Sequence, residues 1–151
     1  MREVIVILDS IRSALNVGAI FRTSDGAGVK KLYLTGITPY PPHPKVLKTA
    51  LGADEYVEFE HNKNVSEVID KLKKEGYSII SLEEHKDAKG FFEVELPKKC
   101  AFVFGNEITG VSNDVIAKSD MLLMLPMNGK KNSLNVATTI GIVLYSAMFG
   151  K

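Results

Sequence analysis

The sequence predicts an α/β fold built on an open parallel sheet, and three observations predict it. Its apolar runs are short and nearly continuous rather than alternating, as in strands buried on both faces. Segments of helical length separate them, several ending in Gly where a helix C-cap would want it. The alternation persists along the whole chain, which is the βαβ pattern with right-handed crossovers. No linker divides the chain, so residues 1–151 are expected to form one domain.

Taken in order, Val4–Leu8 is the first expected strand; five apolar residues before Asp9 are too few for a signal-peptide core. Asn16–Gly28 follows as a helix and Lys31–Gly36 as a strand. Thr38–Lys45 carries prolines at 39, 41, 42 and 44, which forbid helix and central strand and leave an ordered turn or a surface loop. A binding loop and a rigid connection both fit it. Beyond lie a helix at Pro44–Gly52, a strand at Glu55–Glu60, a helix at Val65–Gly76 and a strand at Tyr77–Glu83. A strand at Cys100–Gly105, a helix at Val111–Asp120 and a strand at Met121–Met127 lead to the final helix, Ser133–Phe149. That last segment is interrupted by Asn135, Thr138, Thr139 and Ser146 and falls short of the ~20 apolar residues that span a bilayer.

Composition sets the functional bounds. A formal charge of +1 leaves no whole-molecule field to attract nucleic acid, so any anionic partner must meet local patches. A lone Cys100 excludes an intrachain disulfide and fits a reducing, cytoplasmic setting. His43, His61 and His85 share no metal-ligand spacing, so no metal is expected.

Gly129-Lys130 invites comparison with a phosphate loop, but Lys131 follows where Ser or Thr is required and Met124 stands five positions upstream in place of Gly. No strand leads into a Gly-x-Gly-x-x-Gly turn either. What remains is a set of polar residues where strands give way to loops. Asn16 stands at a helix N-cap position, and Arg22 lies in a helix of small and apolar residues, where it either faces a cleft or pairs with a carboxylate such as Asp25. Glu107 follows an apolar strand in "GNEITG", either as a solvated loop residue or as a group delivered to the ligand edge of the sheet. Ser133 and Asn135 open the last helix, where Ser133 or Asn132 is the simple N-cap candidate.

Together these segments resemble the SpoU/TrmH family of RNA ribose 2′-O-methyltransferases, within the SPOUT superfamily. The first motif matches "NVGAIFRTSDGAGVKKLYLTG" (16–36), the second "FVFGNEITGVS" (102–112) and the third "LPMNGKKNSLNVATTIGIVLY" (125–145). Residues 41–57 are similar to the family's connecting segment. The resemblance implies an α/β/α sandwich whose C-terminal part is threaded as a deep trefoil knot. It also implies S-adenosylmethionine as cofactor, held near Leu82, Gly105, Leu125, Met127, Ser133 and Leu134, largely by backbone groups. Arg22 would assist the reacting ribose hydroxyl, with Asn16, Glu107, Ser133 and Asn135 shaping the site; a guanidinium serves better as an electrostatic partner than as a base.

The partners so implied are tRNA or rRNA and a second copy of the chain, with the active site at the subunit interface. The final helix fits such a dimer, because Val136, Ile140, Val143, Leu144, Ala147 and Met148 compete for burial with Ile142, Tyr145 and Phe149. Lys30/Lys31, Lys45/Lys48 and Lys130/Lys131 are the basic pairs expected nearest the motifs. The additional RNA-binding domain of many relatives is not expected. The rival reading is a non-catalytic RNA-binding module that retains the fold.

Overall fold

A computed structural model describes residues 1–150. Seven strands form one fully parallel sheet in the order β3-β2-β1-β6-β4-β7-β5. They are β1 (Glu3–Asp9), β2 (Lys31–Thr35), β3 (Phe59–Asn62), β4 (Ser78–Leu82), β5 (Lys89–Gly90), β6 (Lys99–Phe104) and β7 (Met121–Met124). The helices are α1 (Ala14–Ala27), α2 (Pro44–Ala50), α3 (Val65–Lys74), α4 (Asn113–Lys118) and α5 (Val136–Phe149).

The period of two along each strand divides the core into two layers. Val4, Val6 and Leu8 of β1, with Phe102 and Phe104 of β6, face α1, α2 and α5. Ile5, Ile7, Ala101 and Val103 face α3 and α4. Continuous apolar strands are thus covered by helices on both sides, as the α/β/α expectation requires. At Gly18, a Cβ would run into Thr49 Oγ1 and the Val46 carbonyl, so glycine lets α1 and α2 approach closely.

Several local expectations need correction. The strand expected at Glu55–Glu60 is displaced: Ala53–Glu55 forms a 3-10 turn after left-handed Gly52 (φ 87°), and β3 starts at Phe59 to match β2 in register. The two-residue β5 was not anticipated, being too short to leave an apolar run. Asn16 is not the cap of α1; Ser13 is, its hydroxyl accepting the Asn16 N–H at 3.1 Å, so the helix begins two residues before Asn16. Neither Asn132 nor Ser133 caps the last helix, because Asn135 Oδ1 accepts the N–H groups of Ala137 (2.8 Å) and Thr138 (3.3 Å) and starts α5 at Val136. Pro44 opens α2, where its missing donor is harmless.

The basic pairs also separate. Lys30 and Lys31 lie at the N-terminal edge of the sheet, paired with Glu3 (3.4 Å) and Glu60 (3.5 Å), away from the motif loops. None of the described helices is long and apolar enough to cross a membrane.

Candidate active site

The second motif builds the floor of a site at the C-terminal edge of the sheet. After Phe104, the chain turns through Gly105–Gly110, where Asn106 Oδ1 accepts the N–H groups of Ile108 (2.8 Å) and Thr109 (2.9 Å). Gly110 closes the turn at φ 72°, a left-handed conformation that suits glycine. A Cβ on Gly105 would lie 2.5 Å from the backbone of Gly110 and Val111, so the two limbs of this loop touch. Glu83, just after β4, fastens the far limb by accepting the Val111 N–H at 2.6 Å.

The same loop grips the β1–α1 connection. Asn106 Nδ2 donates to the Ser10 carbonyl (2.8 Å), and the Glu107 carboxylate accepts the N–H groups of Arg12 (2.8 and 3.1 Å) and Ser13 (3.0 Å). Partial desolvation raises the Glu107 pKa, but those N–H groups outweigh it and hold the carboxyl below its ordinary range. The Glu107 carboxylate therefore anchors the start of α1.

The third motif supplies the opposite wall. From Met124 at the end of β7, residues 125–135 run past the ends of β4 and β6 before Asn135 starts α5. Between the walls is a cleft of ≈ 620 Å³. All six residues expected around the cofactor, Leu82, Gly105, Leu125, Met127, Ser133 and Leu134, line this one cleft. Glu107 and Asn135 line it as well. Asn16 and Arg22 do not: both are on α1, and Arg22 is exposed, with no hydrogen bond or ion pair among the described residues. The alternative pairing of Arg22 with a carboxylate such as Asp25 is absent among the described residues.

Sequence reasoning missed Glu83, Asn106 and Thr139 as cleft residues. Asn106 carried a readable signal, since an Asn four positions before a Gly invites a side-chain-closed turn. Glu83 carried none, because its partner lies 28 positions away.

The lining suits a molecule with an apolar ring and polar appendages. Leu82, Leu125, Met127 and Leu134 offer apolar surface, whereas the side chains of Glu83, Asn106 and Asn135 are already committed to backbone donors. Polar contacts are left to backbone groups, to the exposed Asn132 and Ser133, and to Thr139. Acidic side chains, with no Lys or Arg in the lining among the described residues, favour a cation such as the sulfonium of S-adenosylmethionine over a polyphosphate.

Comparison with known proteins agrees with this geometry. The family model described as the SpoU rRNA Methylase family matches residues 3–145. A tRNA (guanosine(18)-2′-O)-methyltransferase of Aquifex aeolicus is 32% identical over 150 residues, covering 97% of this chain and 69% of its own length. The A. aeolicus TrmH/SpoU tRNA-modifying enzyme superposes with a TM-score of 0.88 at 30% identity, over 99% of this chain and 76% of that one. An AdoMet-bound rRNA methyltransferase from Sinorhizobium meliloti superposes with a TM-score of 0.90 at 25% identity, over 96% of this chain and 55% of that one, so this chain spans about half of that protein. With a family model covering nearly its whole length and a relative of this similarity, the chain belongs to the SpoU rRNA Methylase family.

Proposed function

We propose that this protein transfers the methyl group of S-adenosylmethionine to a ribose 2′-hydroxyl of tRNA or rRNA. The observation that carries the reading is the convergence of the loops after β4, β6 and β7 on one cleft lined by residues of the second and third motifs. Its family relatives include methyltransferases that modify tRNA guanosine 18 and one bound to AdoMet. A tRNA guanosine is therefore the first substrate to test.

When bound, the cofactor supplies an electrophilic methyl group on a cationic sulfur. The chain's own part is to hold, orient and exclude. Leu82, Leu125, Met127 and Leu134 enclose the ligand from water; backbone groups near Gly105 and Ser133 orient it. Glu107 holds the start of α1 against the cleft wall and so fixes the helix that carries Asn16 and Arg22. Arg22 stabilises the negative charge that develops on the ribose oxygen and meets the adjacent phosphate, while Asn16 orients the nucleotide.

Arg22 lies outside the cleft of its own chain, and the neighbouring face of α5 leaves Tyr145 and Phe149 47% and 60% exposed. We read these facts as supporting a homodimer in which α1 and α5 pack on a second copy and each Arg22 completes a site at the interface. The β4–β7 segment and its return to α5 likewise support a trefoil knot in the C-terminal part. The lone, buried Cys100 fits a reducing cytoplasm.

Incubation of purified protein with labelled S-adenosylmethionine and an unmodified tRNA transcript, followed by mass spectrometric mapping, should yield a 2′-O-methyl nucleotide. No methylated product together with no cofactor binding in calorimetry would sink the proposal. Mixing inactive Arg22→Ala with inactive Leu134→Arg tests the shared site: activity regained on mixing supports it, and none regained counts against it.

A further inference from the structure

The C-terminal edge of the sheet continues past the cleft onto the β1–β2–β3 side. There the β2–α2 loop is fastened to the same short stretch that the cleft holds. The buried Thr38 hydroxyl donates to the Leu8 carbonyl (2.9 Å) and accepts the Ile11 N–H (3.0 Å), while Ile37 N–H donates to Ser10 Oγ (3.4 Å). Ser10 N–H in turn donates to the Thr35 carbonyl at 3.0 Å. Ser10–Ser13 is thus gripped by Asn106 and Glu107 from the cleft side and by Thr38 from the other. Cleft and loop form one hydrogen-bonded surface.

On that loop, the ring of Tyr40 lies on the His61 imidazole, with centroids 4.0 Å apart and planes 24° from parallel. His61 is fixed by its place in β3, paired in register with Leu34. Tyr40 is still 42% exposed, and Ile37, three residues earlier on the loop, is 68% exposed. An aromatic pair serving only the core would be covered; here one ring is braced by another and left accessible. Arg12 lies in the Ser10–Ser13 stretch held by Thr38 and Glu107, and Lys63 follows β3 two residues after His61; both are exposed and in no ion pair among the described residues.

We propose that Tyr40, braced by His61, is a stacking platform for an unpaired base of the RNA substrate, with Arg12 and Lys63 meeting phosphates. Every base offers a π-face, so stacking on an exposed ring holds a nucleotide without reading its hydrogen-bonding edge. Exposed cations on the same edge of the sheet supply the sequence-independent attraction. The platform recruits RNA at a distance from the reacting ribose and orients the strand along the edge toward the cleft. That the ligand is RNA rests on the methyltransferase reading above.

The test is binding of an unmodified tRNA transcript, measured by fluorescence anisotropy without cofactor, to wild type, Tyr40→Phe and Tyr40→Leu. Leu preserves apolar bulk but removes the π-face. Stacking predicts that Tyr40→Leu raises the Kd about tenfold, that Tyr40→Phe stays within about twofold, and that S-adenosylmethionine affinity is unchanged in both. Wild-type RNA affinity in Tyr40→Leu overturns the platform. Methyl transfer separates this from the enzymatic reading: if wild type binds RNA through Tyr40 but transfers no methyl group, the platform stands and the methyltransferase reading falls. If Tyr40→Leu methylates the transcript with an unchanged KM for RNA, the platform falls and the methyltransferase reading stands.

Discussion

The two halves of the ligand edge are built to different degrees of completion. On the β4–β6–β7 side, the polar side chains that shape the walls have partners within the chain: Glu83 holds Val111, Asn106 holds Ser10 and its own turn, and Asn135 holds the first turn of α5, while Asn132, Ser133 and Thr139 stay open to a ligand. On the α1 side, Arg22 is exposed without a partner among the described residues, and Leu15 on the same helix is 43% exposed. Tyr145 and Phe149 of the neighbouring α5 pack against each other, ring centroids 5.3 Å apart, and remain partly uncovered. A cleft can be shaped by one chain, because its walls are loops tied to each other. A helix face that mixes aromatic rings with a cation lacking a partner among the described residues is the kind of surface the proposed dimer would cover. On the proposed reading, the single chain shapes the cofactor cleft, and transfer needs the α1 face completed by RNA and a second copy.

The strongest way to break that division is Arg22→Ala. Loss of an electrostatic contact made at the transition state should lower kcat about 10²–10³-fold while S-adenosylmethionine affinity in calorimetry stays near wild type. Arg22→Lys should recover little, since an ammonium lacks the planar fork. Equal loss of cofactor affinity would show that the two halves cannot be separated. Gly105→Ala attacks the other half: a Cβ 2.5 Å from the Gly110 and Val111 backbone should cost about 1–3 kcal/mol in urea denaturation and abolish cofactor binding.

Glu107→Gln acts on the seam between them. Because the residue is solvent-exposed, the change should cost no more than about 1 kcal/mol, despite two backbone donors losing a charged acceptor. A carboxyl with a depressed folded pKa lends stability above its unfolded pKa and loses it as pH falls through the folded value. The difference between wild type and Glu107→Gln should therefore narrow below pH about 4 in acid titration of stability. Smallest in energetic terms, Cys100 should resist thiol reagents at pH 8 until the protein is unfolded. It is buried, burial is the main cause lifting its pKa to about 11, and its thiol faces the Pro97 carbonyl at 3.0 Å.

Legibility in the sequence followed the range of the interaction responsible. Strands β1, β2, β4 and β6 were readable because burial on both faces demands apolar residues at every position, as in Val4–Leu8 and Cys100–Phe104. β3, whose residues are only partly buried, shifted away from its expected place, and β5 left no trace. Cap positions slipped by two or three residues because Ser13, Asn16, Asn132, Ser133 and Asn135 are all competent caps, and only the path of the chain chooses among them. Glu107 lines the cleft at the end of the strand from which the sequence delivers it, but its bonds to Arg12 and Ser13, 95 and 94 positions away, could not be read from spacing.

By itself the sequence determined the α/β class, the two-sided burial of the sheet, the absence of a phosphate loop and three motifs that pointed to the family. These depend on residue type and local period, which a linear string records. Only the tertiary structure decided that six separated residues share one cleft while Arg22 stays outside it, and that Thr38 and Glu107 clasp the same four residues from opposite sides. Those outcomes depend on strand order, which sets β6 beside β1 and β4 although the chain reaches it after visiting both, and strand order is fixed by the packing of whole layers.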